Sequence, residues 1–213
     1  MGVSGLTRKS ANPKTGDMLQ IQIINDKIDP VSAMKEGLDT KVCDDCPLRS
    51  TASGGSGGCY VVTAQAPLAI YRATDGDPVE PLSIMPNKPV RLGSYGDPSY
   101  LPLSLLSSLT RGRWTGYTHR WRKLSKRAPG APWYGGFLMA SVETLRQRLQ
   151  AKAKGWRTFR VISKVSDLAE GEILCPNSTH GTTCSACGLC DGARIGDRRK
   201  DIAILGHGPL AGK

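Results

Sequence analysis

A repeated rhythm of strand, loop and helix across the middle of the chain constrains its fold more than any other feature. Val90-Arg-Leu-Gly93 has the character of a strand, Ser94 to Pro98 that of a loop, and Ser99 to Leu109 that of a helix with leucine at 101, 103, 105, 106 and 109. Trp114 to Tyr117 is a second short strand, followed by a basic, helix-like stretch. Phe137 to Val142 is a third, with Glu143 to Lys154 as an amphipathic helix ended by Gly155; Arg157 to Ile162 is a fourth and Asp201 to Leu205 a fifth. Upstream, Met18 to Ile24 alternates like a half-buried strand, and the polar residues through Asp17 are expected as a loosely held arm. Strands alternating with helices of this length pair in parallel through right-handed crossovers. Too few units are legible for a closed barrel of eight. The expected fold is therefore α/β, a partial or irregular (βα) barrel with cysteine-rich metal-binding loops, and an open parallel sheet is the alternative. With 213 residues and 39% hydrophobic content, residues 1–213 can form one domain with a real core.

Seven cysteines fall into two groups with none between. Cys43, Cys46 and Cys59 lie in a loop at about residues 40–62, and Cys175, Cys184, Cys187 and Cys190 in one at about 173–193. The start lacks the apolar stretch of a secretory signal, and no apolar run is long enough for a membrane helix. A cytoplasmic location and no membrane partner are expected. There, thiols serve as metal ligands or redox groups rather than disulfides.

The run CPNSTHGTTCSACGLC carries the sharpest chemistry. Three cysteines at two-residue gaps, with a fourth upstream, can reach separate corners of a cubane, whereas zinc more often takes two separated Cys-x2-Cys pairs. A [4Fe–4S] cluster is the expected cofactor and Zn²⁺ the alternative. Gly181 and Gly188 suit the tight turns such a loop needs.

The earlier group supplies only three thiolates, so His119, His207, Asp44 or an exchangeable molecule would complete it. Between Cys46 and Cys59 lies a Gly/Ser-rich hinge able to wrap a ligand set, and a β-prone run follows from Cys59 to Thr63. Three cysteines around a cluster with an open iron are the arrangement of radical S-adenosylmethionine enzymes, but the usual Cys-x3-Cys-x2-Cys run is absent. S-adenosylmethionine is thus a further cofactor to test.

Asp97 and His119 follow successive strands and fall where parallel folds place their sites; they are the candidate catalytic residues. An Asp before Pro is also a common turn or cap residue, and a lone His a common satisfied polar group. The net charge of +11 makes polyanions plausible partners. From Arg111 to Arg127, basic residues interleave with Trp114, Tyr117 and Trp121, a pattern able to bind nucleic acid or a phosphate-bearing ligand, or simply to form a solvated face over core aromatics.

In order, the segments KTGDM, VCDDCPLR, GGCYV, QAPLAIYRA, RLGSYGDP, GYTHRW, MASVET, GWRTFRV, EILCPNSTHGTTCSACGLCDG and IAILGHGP resemble an uncharacterised seven-cysteine protein family of bacteria and their phages. The resemblance implies that all seven cysteines, Asp97 and His119 belong to one pattern, and that the setting is a bacterial host cytoplasm if phage-encoded. It carries no established activity. The strand rhythm and the GSYGD stretch also resemble radical S-adenosylmethionine barrels more distantly. Set beside the family, the segment from Thr74 to Asn87 is short, which implies a missing helix between the first two barrel units.

Overall fold

The computed structural model describes residues 3–9, 12–74, 88–124 and 132–206. Its framework is a single sheet with the order β1-β2-β3-β4-β5-β6-β8-β7. These are β1 (Val3–Lys9), β2 (Leu19–Asn25), β3 (Val90–Tyr95), β4 (Trp114–Thr118), β5 (Met139–Val142), β6 (Thr158–Ile162), β7 (Glu172–Leu174) and β8 (Asp201–Leu205). β1 pairs antiparallel with β2, and the other seven strands are parallel. From β2 to β6 each strand lies beside the next in sequence. A sheet that advances in one direction, with crossovers of one hand, keeps its helices on one face and frees the other. That is the architecture of a partial α/β barrel, with β1 and β7 as open edges.

The helices are α1 (Pro30–Lys35), α2 (Thr40–Cys43), α3 (Ala66–Thr74), α4 (Leu103–Leu109), α5 (Leu145–Ala153), α6 (Pro176–His180) and α7 (Cys184–Cys187). Alternation along the strands separates two apolar layers. Val90, Leu92, Leu138, Ala140 and Val142 pack with Ile70, Leu106 and Ala151 from the helices, while Met139 and Ile202 face the other way with Tyr117, Phe159 and Ile173. Trp133 and Trp156 add an edge-on ring pair at 4.8 Å to the first layer.

Several elements depart from their sequence expectations. The start is not a loose arm. β1 pairs along its length with β2, and the carbonyls of Lys14 and Thr15 accept from the backbone amides of Cys184 and Ser185. After β2 the Asp- and Pro-bearing run from Asn25 to Pro30, to which the sequence assigns no helix, leads into α1, because Asp29 caps it through Val31 N and Ser32 N and Pro30 occupies its first turn. Helix α4 begins at Leu103, since Pro98–Tyr100 forms a 3-10 turn and Pro102 caps the helix. Cys59–Thr63 is not a strand: Cys59 N bonds Leu48 O within the cysteine loop, and no strand of the described residues pairs with it. The basic stretch after β4 forms a 3-10 turn over Arg120–Arg122. Residues 125–131 and 75–87 lie outside the described residues, and with the latter all but the first residue of the segment from Thr74 to Asn87 expected to be short.

Candidate functional site

The concave face holds a cavity of about 220 Å³. Its walls come from inward positions of the parallel strands, including Gly93, Tyr117, Ser141, Phe159 and Ile204. Cys43, Cys46 and Cys59 line it, as do Cys175 and Cys184; the latter two also line an adjoining pocket with Cys187 and Cys190. Two cysteine groups far apart in sequence therefore border one space. All seven are free thiols.

The first group stands on a loop organised by Arg49. Its guanidinium donates to Cys46 O at 2.7 Å and to Ser53 O at 2.9 and 3.1 Å, while Asp39 accepts from Ser50 N at 3.0 Å. The Gly/Ser hinge is thus wound around an arginine. Asp97 N bonds Val42 O at 2.7 Å, tying this loop to the rim after β3. The tie demands glycine at 96: φ is +73°, and a Cβ there would meet Ile23 Cβ at 2.6 Å. Burial, with the neighbouring Cys46 and Cys59, pushes the Cys43 thiol far above its ordinary value. Burial also raises Cys59, against a hydrogen bond from the Val61 amide.

The second group is clamped from several sides. Cys175 N bonds Ala203 O at 2.7 Å and Gly116 N bonds Cys190 O at 3.2 Å, so both ends of the loop are stitched to the sheet. Arg113 holds the Ser185 and Ala186 carbonyls. Arg157, almost wholly buried, donates to Leu189 O and Lys200 O at 2.7 Å and to Gly192 O at 3.2 Å. Gly181 and Gly188 cap α6 and α7 in the left-handed conformation, as their place in the sequence suggests. Burial and the charges of Cys175, Cys184 and Cys187 raise Cys190 to about 12, although the Tyr117 hydroxyl hydrogen-bonds its sulfur. All four thiols line the adjoining pocket. Among the described residues, no group of three or more His, Cys, Asp or Glu side chains is placed to hold a metal ion.

His119 and Asp97 occupy the cavity rim. His119 Nε2 lies 3.1 Å from Glu143 Oε1. Burial alone would lower the pKa of its imidazole, but hydrogen bonds to Cys46 and Glu143 raise it to about 10. A ring engaged on both sides acts as a partner of the Cys46 sulfur, and the chain Cys46, His119, Glu143 has the form that activates or orients a thiolate. Asp97 is consumed by structure: Oδ1 accepts from Ser99 N, and Oδ2 from the Thr118 hydroxyl and His119 N. Asp44 is held by Arg120 at 2.7 Å and by Lys123, which takes its carboxylate away from the cysteines as a ligand. His207 lies outside the described residues.

Sequence reasoning did not single out Glu143, Arg49, Lys14 or Arg91. The last is an arginine at an inward position of a parallel strand, and that alternation was its only signal. In the basic stretch, Trp121 is buried with its Nε1 on Ser141 O, Trp114 Nε1 bonds Phe137 O, and Tyr117 lines the cavity. Arg120 and Arg122 stack over Tyr100 and Trp121 respectively. Residues 125–127 of that stretch lie outside the described residues.

No described helix is long and apolar enough to cross a membrane. Comparison with family models, with curated proteins and with solved structures finds no match.

Proposed function

We propose that the chain is an iron–sulfur protein in which Cys175, Cys184, Cys187 and Cys190 hold a [4Fe–4S] cluster, and Cys43, Cys46 and Cys59 hold a second centre with one position open to the cavity. The observation that carries this is the gathering of seven free thiols around two adjoining pockets on the concave face. What supports it is the donor chemistry: soft sulfur side chains, clamped backbone and hydrogen bonds to individual sulfurs from Tyr117, His119 and Val61. When bound, such a cluster supplies one-electron transfer. The residues of the chain fix the ligand loops through Arg49, Arg113 and Arg157, and close the base of the cavity with Tyr117 and Phe159. A cavity at the carboxyl ends of parallel strands is where such folds place catalysis, which supports an enzyme that takes S-adenosylmethionine or another exchangeable molecule at the open position. The chemistry suits the reducing cytoplasm, a bacterial host's if the chain is phage-encoded.

The alternative is a zinc-stapled module that binds nucleic acid through Arg111–Arg127. There the burial of Trp121 leaves charge rather than base stacking to do the binding. Oxygen-free purification with iron, sulfide and zinc analysis separates the two. Broad visible absorption with iron and sulfide is expected, reduced in separate portions by Cys190→Ser and Cys59→Ser. A colourless protein with stoichiometric zinc, whose binding to RNA or DNA falls steeply with salt, overturns the cluster assignment. Formation of 5′-deoxyadenosine from S-adenosylmethionine by the reduced, iron-loaded protein tests the enzymatic form.

A further inference from the structure

Among the described residues, the three buried arginines each lie beside a carboxylate. Arg148 pairs with Asp201 at 2.9 Å, Arg160 pairs with Glu172, and Arg157 lies 3.6 Å from Asp191. Arg91, on the concave side of β3, faces no carboxylate among the described residues. Its neighbours are the Tyr60 side chain, which it hydrogen-bonds, Tyr117 and Cys184. Partly withdrawing a guanidinium from water is costly without an anion; a cluster on Cys184 would supply part of that charge, and the cavity open in front of Arg91 leaves room for a second, mobile one. Lys14, exposed on the arm beside Cys184, lines the same cavity and likewise has no described carboxylate partner. Among the described residues of the lining, Asp97 is the one carboxylate, and its oxygens are already engaged.

From this we infer that the cavity binds a small organic oxyanion, a carboxylate or a phosphate monoester, with its charged head on Arg91 and Lys14. Arginine suits either head because its fork can donate two parallel bonds to both. The body of the ligand rests on the apolar wall of Phe159, Val161 and Ile204, beside Tyr117, whose ring centroid is 4.5 Å from that of Phe159. Space is sufficient: an engineered cavity of roughly 150 Å³ admits benzene, and this one measures about 220 Å³. Such a ligand lies between the two cysteine groups, so the inference names the substrate class of the site proposed above and rests on that assignment for its catalytic meaning, but not for binding itself.

The test is calorimetric titration of the full chain, metal-free and iron-loaded, with phenyl phosphate, benzoate and inorganic phosphate. Saturable binding of at least one aryl anion is expected, tighter than inorganic phosphate, and which aryl anion binds more tightly identifies the head group. Arg91→Gln weakens it tenfold or more, Arg91→Lys less, and Lys14→Gln a few-fold; Arg146→Gln, exposed on α5, leaves it unchanged. Circular dichroism checks each fold, and exposed Lys14→Gln provides the answer if the Arg91 variants do not fold. No saturable binding of any probe, or binding indifferent to both Arg91→Gln and Lys14→Gln, overturns the inference. Loss of iron in Arg91→Gln with anion binding intact overturns it too, because Arg91 then serves only the charge of the cluster. Anion binding in a protein that takes up no iron sustains the inference while removing the cluster assignment.

Discussion

Replacing Arg157 by Met tests whether the late cysteine loop is held in place from beneath. The side chain is 4% exposed and donates to three carbonyls, those of Leu189, Gly192 and Lys200. Methionine fills much of the volume but supplies no donor. Each partner left unmade costs about 1–3 kcal/mol, and water or relaxation recovers part of the sum. A net loss of about 3–5 kcal/mol is expected, in the range for breaking a buried charged contact. For a chain of this length, about 2–4 °C per kcal/mol translates that into a fall of about 6–20 °C in the thermal midpoint. Because Leu189 precedes Cys190, the same change loosens a cysteine of the proposed cluster, so on that proposal iron per chain should fall at temperatures where the variant is still folded. Arg157→Lys restores part of the stability through one or two of the bonds. Thermal unfolding by circular dichroism and iron analysis of reconstituted protein provide both readouts. An unchanged midpoint together with full iron content in Arg157→Met would refute the reasoning.

Gly96→Ala forces a side chain into a left-handed backbone with its Cβ 2.6 Å from Ile23 Cβ; strain and overpacking together cost about 2–5 kcal/mol in denaturant unfolding. Burial raises the Glu172 carboxyl, but Arg160 and the Ala169 amide outweigh it and hold the pKa below the ordinary carboxylate value. Its stabilising contribution is therefore present above that range and lost as pH falls below about 4. Glu172→Gln should lower stability at neutral pH by about 3–5 kcal/mol, by leaving Arg160 and Arg148 short of a charge, and flatten the acid limb of a stability–pH curve. Asp29→Ala removes the cap on Val31 N and Ser32 N at α1 and should cost about 1 kcal/mol by urea unfolding, without changing the metal content.

The local pattern of the chain was enough to place most of the parallel strands. Val90–Tyr95, Trp114–Thr118, Met139–Val142 and Thr158–Ile162 fall within a few residues of their expected bounds, and Asp201–Leu205 coincides with them. These strands carry apolar or β-branched residues in alternation, a property readable without neighbours. β7 was not readable in that way: Glu172-Ile-Leu174 is a strand because β8 pairs with it and because Arg160 neutralises its buried glutamate. β1 owes its place to β2 in the same manner.

The two cysteine groups, their spacing and the glycines that turn the second loop belong to the sequence alone, since ligand spacing and left-handed turns are local properties. That the groups border one cavity, that Asp97 is spent on backbone amides and a hydroxyl, that His119 leans on Cys46 and Glu143, and that Arg91 has no carboxylate partner among the described residues were decided by tertiary structure. The curl of a sheet advancing strand by strand brings distant residues onto one concave face. Whether a polar group there is satisfied depends on what lies opposite, which no local pattern encodes.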